Sequence, residues 1–359
     1  MKHKSKQWLR RLGAGLATAA LVAVLPVNWR RLGEGLTLTA AALHQPQNAV
    51  ALLEERLTPS PVVTLPGETA PPSLGEGDRT GVLAVPDVPA AAPVTVPPED
   101  GTGGKILTRT LDPGDTTRHP VAVRNRSNRT VDIDTALATA FRGRFTDTTQ
   151  PQVLILHTHT TEGYMTYDAG YYNAADRNRT SDESRNVCAV GEAMAATLRR
   201  AGIAVLHDTT IHDSPQYTGA YDRSAATARR YLEKYPSLRV IIDLHRDAVM
   251  EDNTTLVKPT VTVDGRQAAQ MMFVVGVTHT SDLPHPHWEQ NLALAAQWQQ
   301  KLTALAPALM RPLNTVQSRY NQHLAPGYLL VEVGSEGNTL EEAVYSGQLL
   351  GNTLVDLLK

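Results

Sequence analysis

Two short apolar runs in this chain each end in a histidine. Val153-Leu154-Ile155-Leu156 leads into His157-Thr158-His159-Thr160-Thr161-Glu162, and Val240-Ile241-Ile242-Asp243-Leu244 leads into His245-Arg246-Asp247. An apolar run of this length closing in a polar cluster is the pattern of an interior parallel strand whose carboxyl end opens onto a ligand crevice. A third run, Tyr328-Leu329-Leu330-Val331, ends at Glu332. Together they offer His159, Glu162 and His245 as zinc ligands with Glu332 as a free carboxylate, the layout of a hydrolytic zinc centre with one open coordination position. A lone histidine at a strand end is more often hydrogen-bonded structure than a ligand. The His-x-x-Glu pair at His159 and Glu162 is weak by itself and gains weight from the distant, strand-borne His245. The same ligand order occurs in zinc carboxypeptidases.

A single cysteine, Cys188, excludes an internal disulfide framework and a thiolate zinc cluster, so any metal must be held by histidine and carboxylate. In its helix Cys188 reads as small apolar packing. The 34 basic and 36 acidic residues nearly cancel, and no phosphate loop or basic stripe is present. Nucleic acid is therefore not an expected partner.

The N-terminus is organised differently. Leu12 to Trp29 carries no charge, with Lys2, Lys4, Lys6, Arg10 and Arg11 before it and Arg30 and Arg31 after it. This basic excess predicts a cytoplasmic N-terminus and an extracytoplasmic body. The segment lies near the lower limit of about 17 residues for a span. Val24-Leu25-Pro26-Val27 is a poor cleavage site, which favours a retained signal anchor over a cleaved signal. From Thr58 to Gly104, Pro, Gly, Ala, Val, Thr and acids dominate, a composition that reads as an extended, disordered spacer. The expected organisation is a basic tail and membrane anchor over 1–31, a juxtamembrane segment and linker over 32–104, and a catalytic domain over 105–359.

Beyond Lys105, strands and helices alternate. The spacing predicts a strand-rich lead-in over Ile106 to Asp134 and a helix over Asn186 to Ala201, with Gly202 at its C-terminal cap. Further helices are expected over Ala225 to Lys234, Trp288 to Leu309 and Leu340 to Leu358. Strands are expected over Ile203 to Leu206, Val240 to Leu244 and Met271 to Val277. This alternation predicts a three-layer α/β domain with a mostly parallel sheet.

The ordered motifs carry a resemblance. They run through Ile155 to Glu162, Asn186-Val187 with Val190-Gly191, His207 to Thr210, His212-Asp213, and Tyr217 with Tyr221. They continue through Asp243 to Ala248, Tyr320-Asn321-Gln322, and Leu330 to Gly334 with Asn338-Thr339. Over about Leu107 to Lys359 the chain resembles the stage II sporulation protein P family of membrane-anchored, zinc-dependent peptidoglycan amidases and endopeptidases. More distantly it is similar to the zinc-dependent N-acetylmuramoyl-L-alanine amidases.

The resemblance implies an α/β fold, a site of two His and one Glu for Zn2+, and peptidoglycan as substrate. The family's motifs fall on His157, His159 and Glu162, on His245, and on Glu332 as the catalytic carboxylate. Alignment of strand ends with the amidases places the first ligand at His159, leaving His157 as a neighbour of the site or a substrate contact. Glu183 is the alternative to Glu162. Arg246 is a candidate for holding a substrate carboxylate or oxyanion, and Asp247 for orienting a neighbour; an internal ion pair is the other reading of both. His207, His212, His279, His285 and His287 read as structural. The implied partners are a lytic transglycosylase-like sporulation protein and a membrane scaffold at the engulfing septum. The competing classes are a zinc carboxypeptidase and a wall-binding or assembly module without catalysis.

Overall fold

The computed structural model describes residues 95–141, 143–145, 149–176 and 179–359. The expected anchor, Leu12 to Trp29, and most of the expected linker lie outside the described residues. Among the described residues, no helix is long and apolar enough to cross a membrane.

In chain order the elements are β1 (Gly104–Arg109), β2 (Val123–Asn125), α1 (Ile133–Ala138), β3 (Val153–Leu156), β4 (Tyr171–Tyr172), α2 (Val187–Arg200), β5 (Val205–His207) and α3 (Ala220–Lys234). They continue as β6 (Val240–Asp247), β7 (Thr255–Val263), β8 (Arg266–Ala269), β9 (Met271–Gly276), α4 (Trp288–Leu305), β10 (Leu313–Val316), β11 (Tyr328–Ser335) and α5 (Leu340–Leu358). A seven-stranded sheet runs β2-β10-β9-β11-β6-β3-β5. Each pairing in it is parallel except β9 with β11. The expected mostly parallel sheet is present, with one reversal of direction.

Strand alternation decides the layers. Val153 and Ile155 of β3 point into the larger core with Val190, Met194 and Leu198 of α2, Trp298 of α4 and Leu350 of α5. Leu154 and Leu156 point the other way, against Ala228 of α3, Ile241 and Tyr328. On β6, Val240, Ile242 and Leu244 belong to the larger core, so Asp243 and His245 share the α3 face with Ile241. On β11, Leu329, Val331 and Val333 do the same, which puts Glu332 on the α3 face. Glu332 and His245 are direct partners in register. A slip of one residue would send both groups into the apolar core. Fully burying each Val, Leu or Ile of these strands stabilises the register by about 1.5–3 kcal/mol.

Caps fix the helices that support this edge. The Asn186 side chain accepts from the Cys188 N–H at the start of α2, and Thr339 forms a capping box with Glu342 at the start of α5. Gly202 adopts φ 77° just past α2, as expected. Cys188 is buried and unpaired, its thiol pushed up to about 12 by burial, in agreement with a packing role.

Some bounds differ from the reading of the sequence: α4 stops at Leu305, α3 starts earlier at Ala220, β5 is shifted to Val205–His207, and the strand-rich lead-in is followed at once by α1. Two larger features differ as well. A second, four-stranded sheet, β4-β1-β7-β8, stands beside the first. Its β7–β8 hairpin turns at Asp264 and Gly265, both with positive φ, the pairing that a tight two-residue hairpin favours. Packing also begins ahead of Lys105. The Tyr171 hydroxyl donates to the Pro97 carbonyl at 2.6 Å, and Asn173 Nδ2 donates to that of Pro98 at 3.1 Å. The end of the expected linker is thus tied to the domain.

Candidate metal centre

The carboxyl ends of β3 and β6 bring His159, Glu162 and His245 together. The donor atoms of the three lie within 4.8 Å of one another. His159 Nδ1 is 3.4 Å from Glu162 Oε1, and His245 Nδ1 is 3.3 Å from Glu162 Oε2. One tight turn after β3 achieves this, since the Glu162 N–H donates to the His159 carbonyl at 3.1 Å. The Arg246 backbone N–H donates to Glu162 Oε2 at 3.1 Å, and the Arg179 guanidinium lies 3.6 Å from Oε1. Glu162 is therefore aimed from both sides.

Charge in the cluster is strongly coupled. Burial alone would raise the Glu162 carboxyl, but hydrogen bonding with His159 and His245 more than offsets it and holds the group well below the usual carboxylate range. Burial alone would lower His245; the Asp243 and Glu162 carboxylates instead push it well above an ordinary imidazole. His245 Nε2 lies 2.9 Å from Asp243 Oδ1 yet off the N–H axis, so this buried nitrogen has an ionic partner but no well-aligned hydrogen bond. Two buried carboxylates around one imidazole create a demand for positive charge. Two imidazoles and a carboxylate are also the borderline donors that suit zinc, so the residues present fit that ion.

Glu332 stands beside His245 without joining the donor set. Its Oε2 is buried and has no partner. Burial first, and then the Asp247 charge, push its carboxyl up to about 8. A carboxyl tuned this way can take up and release a proton near neutral pH.

The other predicted residues fall as follows. His157 points to the α2 side: Nδ1 faces the Leu244 carbonyl at 2.9 Å and Nε2 faces His207 Nε2 at 2.9 Å. Burial and the neighbouring His207 push it down to about 3, so it is neutral. Glu183 is exposed and outside the cluster. The Arg246 guanidinium is turned inward, Nε donating to the Gly163 carbonyl at 2.6 Å and Nη1 lying 3.4 Å from Glu336. Asp247 pairs with Arg311 at 2.9 Å. The internal ion-pair reading thus describes both residues. His207 and His212 serve structure, the latter with Nδ1 at 2.7 Å from the His157 carbonyl and Nε2 at 3.0 Å from Thr227.

Several site neighbours carried no assigned role in the sequence. Tyr217 stacks on His159 with ring centroids 4.4 Å apart, Tyr221 stands 5.5 Å from His159, and Tyr320 stands 5.4 Å from Tyr221. Arg179 lies over the Tyr217 ring at 4.7 Å and pairs with Asp213 at 2.7 Å. Asp243 was legible in principle, because two residues before His245 on a strand is the same face.

The fold and the site define an α/β protein with a His-Glu-His donor set and a free carboxylate at the carboxyl edge of its sheet. The chain belongs to the stage II sporulation protein P family, whose model matches residues 111–355. It is similar to the stage II sporulation protein P of Bacillus subtilis (strain 168), 29% identical over 201 residues that cover 53% of this chain and 47% of that protein. The match therefore spans about half the length of that relative. Among solved structures it is similar to the N-acetylmuramoyl-L-alanine amidase of Clostridium difficile 630, with TM-score 0.33 and 14% identity over 58% of this chain and 95% of the other. For the N-acetylmuramyl-L-alanine amidase Ami1 of Mycobacterium smegmatis the TM-score is 0.32 and the identity 12%, over 58% of this chain and 97% of the other.

Proposed function

We propose that this chain is a zinc-dependent peptidoglycan hydrolase acting in sporulation, cleaving the amide between N-acetylmuramic acid and L-alanine and also acting as an endopeptidase on stem peptides. The observation that carries the reading is Glu332, a half-buried residue beside the His159, Glu162 and His245 cluster whose Oε2 is buried without a hydrogen-bond partner.

Amide hydrolysis must activate water, polarise a carbonyl and protonate a nitrogen leaving group. Zinc held by His159, Glu162 and His245 would supply Lewis acidity and acidify water there. Glu332 takes the water proton at Oε2 and returns it to the departing nitrogen. Tyr217, Tyr221 and Tyr320 form an aromatic wall that excludes water and offers ring faces to a substrate. The engagement of Arg246 with Gly163 and Glu336 removes the candidate clamp for a terminal carboxylate and so counts against a carboxypeptidase.

The wider reading is a single-pass protein anchored by Leu12 to Trp29, its N-terminus cytoplasmic and its catalytic domain outside, thinning the septal wall during engulfment beside a lytic transglycosylase-like protein and a membrane scaffold. The decisive experiment is mass spectrometry of muropeptides released from purified wall by the full chain. Free stem peptides with an N-terminal L-alanine support amidase action. An unchanged wall digest with metal-loaded protein overturns the proposal.

A further inference from the structure

A buried chain of polar groups connects His245 with a strained loop that packs against the start of α3. Asp243, with no exposed surface, accepts from the Thr158 N–H at 2.8 Å through Oδ1 and from the Thr158 hydroxyl at 2.6 Å through Oδ2. Thr158 Oγ1 is 2.6 Å from Ser224 Oγ, and Ser224 Oγ is 3.1 Å from Asn321 Nδ2. Asn321 also donates to the Tyr221 carbonyl at 2.8 Å. Tyr320 and Asn321 both adopt positive φ, of 44° and 60°. For non-glycine residues that conformation costs on the order of 1–3 kcal/mol each and persists where surrounding contacts enforce it.

The direction of every bond in the chain follows from its end. An ionised carboxylate only accepts, and an amide Nδ2 only donates. The Thr158 hydroxyl gives its proton to Asp243, so in its 2.6 Å contact with Thr158 the Ser224 hydroxyl is the donor, sharing its proton with the Tyr221 carbonyl at 3.2 Å, and it accepts from Asn321. The same acceptor lies beside His245 Nε2, which must then carry the proton. In the neutral ring, the form that can bind a metal, the lone pair is therefore on Nδ1, the atom that faces Glu162 at 3.3 Å.

We infer that Asp243 is the positioning residue of this centre. It sets the tautomer of His245 through the 2.9 Å ionic contact at Nε2, and the chain through Thr158 and Ser224 ties the carboxylate to Asn321 and to Tyr320 in the aromatic wall. The inference rests on the proposed metal centre and deepens it. Without Asp243 the imidazole could carry its proton on either nitrogen and turn away from Glu162. Asp243 touches no substrate and acts only through His245.

The test measures zinc affinity of the full chain by competition with a chromogenic chelator, and records the visible spectrum of the cobalt(II)-loaded protein. Asp243→Asn should weaken zinc binding roughly 10- to 100-fold, the range typical for partners of metal-binding histidines, and should alter the cobalt spectrum. Thr158→Val keeps the carboxylate but removes the hydroxyl, so it should weaken binding by a smaller factor and add little in the Asp243→Asn background. Unchanged zinc affinity and cobalt spectrum in folded Asp243→Asn overturn the inference. Should that variant not fold, unchanged affinity in Thr158→Val does so. Asp243-dependent zinc binding in a wild-type protein that leaves purified wall intact supports the inference and sinks the proposed substrate; a wild type that takes up no zinc sinks both.

Discussion

Replacing Glu332 by Gln should stabilise the metal-free protein, and by an amount that depends on pH. The folded carboxyl is pushed from an ordinary 4.5 up to about 8, chiefly by burial, so the folded state binds this proton more tightly than the unfolded state. Below pH 4.5 both states hold the proton and the group contributes no pH-dependent difference. Between 4.5 and 8 the unfolded state has released it, and wild-type stability falls relative to the variant by about 1.4 kcal/mol per pH unit. At pH 7 the full difference is about 3 kcal/mol, and solvent access to the half-buried residue brings it to about 2–3 kcal/mol. Above pH 8 the difference levels off. The assay is urea unfolding of both proteins in excess chelator at pH 4, 5.5, 7 and 8.5. A difference that is flat with pH, or a variant less stable than wild type at pH 8.5, refutes the argument. The same variant, loaded with zinc, should lose turnover by a factor of roughly 10² or more while still binding metal.

Three further outcomes are expected. His245→Ala should abolish stoichiometric zinc while circular dichroism stays native; full zinc by elemental analysis would overturn the ligand assignment. Glu162→Gln should weaken zinc strongly whereas Glu183→Gln should not, because Glu183 is exposed and outside the cluster; equal affinities would return the choice to the open state in which the sequence leaves it. Gly191→Ala should destabilise by about 1–3 kcal/mol despite the better helix propensity of alanine, since the added Cβ would stand 2.6 Å from His207 Nε2 and 3.0 Å from the His157 ring; a rise in the denaturation midpoint would contradict this packing.

The strands that carry the site were legible because each is a short apolar run ending in chemistry, and alternation then assigns faces without coordinates. The same rule shows why His157 and His159 differ. His157 continues the odd-numbered side of β3, with Val153 and Ile155, and meets His207 near α2. His159 lies past the end of the strand, where the turn to Glu162 swings it over the carboxyl edge. The second sheet is marked in the sequence by Asp264-Gly265, a hairpin signal between two short runs, but its other strands, β1 and β4, come from distant and weakly patterned segments. Arg179 was not legible at all, since its approach to Glu162 depends on an isolated bridge between two irregular segments.

What sequence pattern cannot supply is the support around the ligands, because its members come from separate places in the chain. Asp243 shares a strand with His245, but Thr158, Ser224 and Asn321 reach it from the end of β3, from α3 and from the loop before β11. None of these residue types is distinctive: a threonine after a strand or a serine in a helix usually means local capping or a solvated face. Their meaning appears only when they are seen as one buried chain of hydrogen bonds that ends on the Asp243 carboxylate. The cost is carried by the fold, which holds two left-handed residues at one end of the chain and the uncharged Glu332 carboxyl across the strand from the other. A site built this way trades stability for a positioned imidazole and a proton acceptor poised near neutral pH, which is why replacing the titratable Glu332 carboxyl by an amide should strengthen the fold while weakening the chemistry.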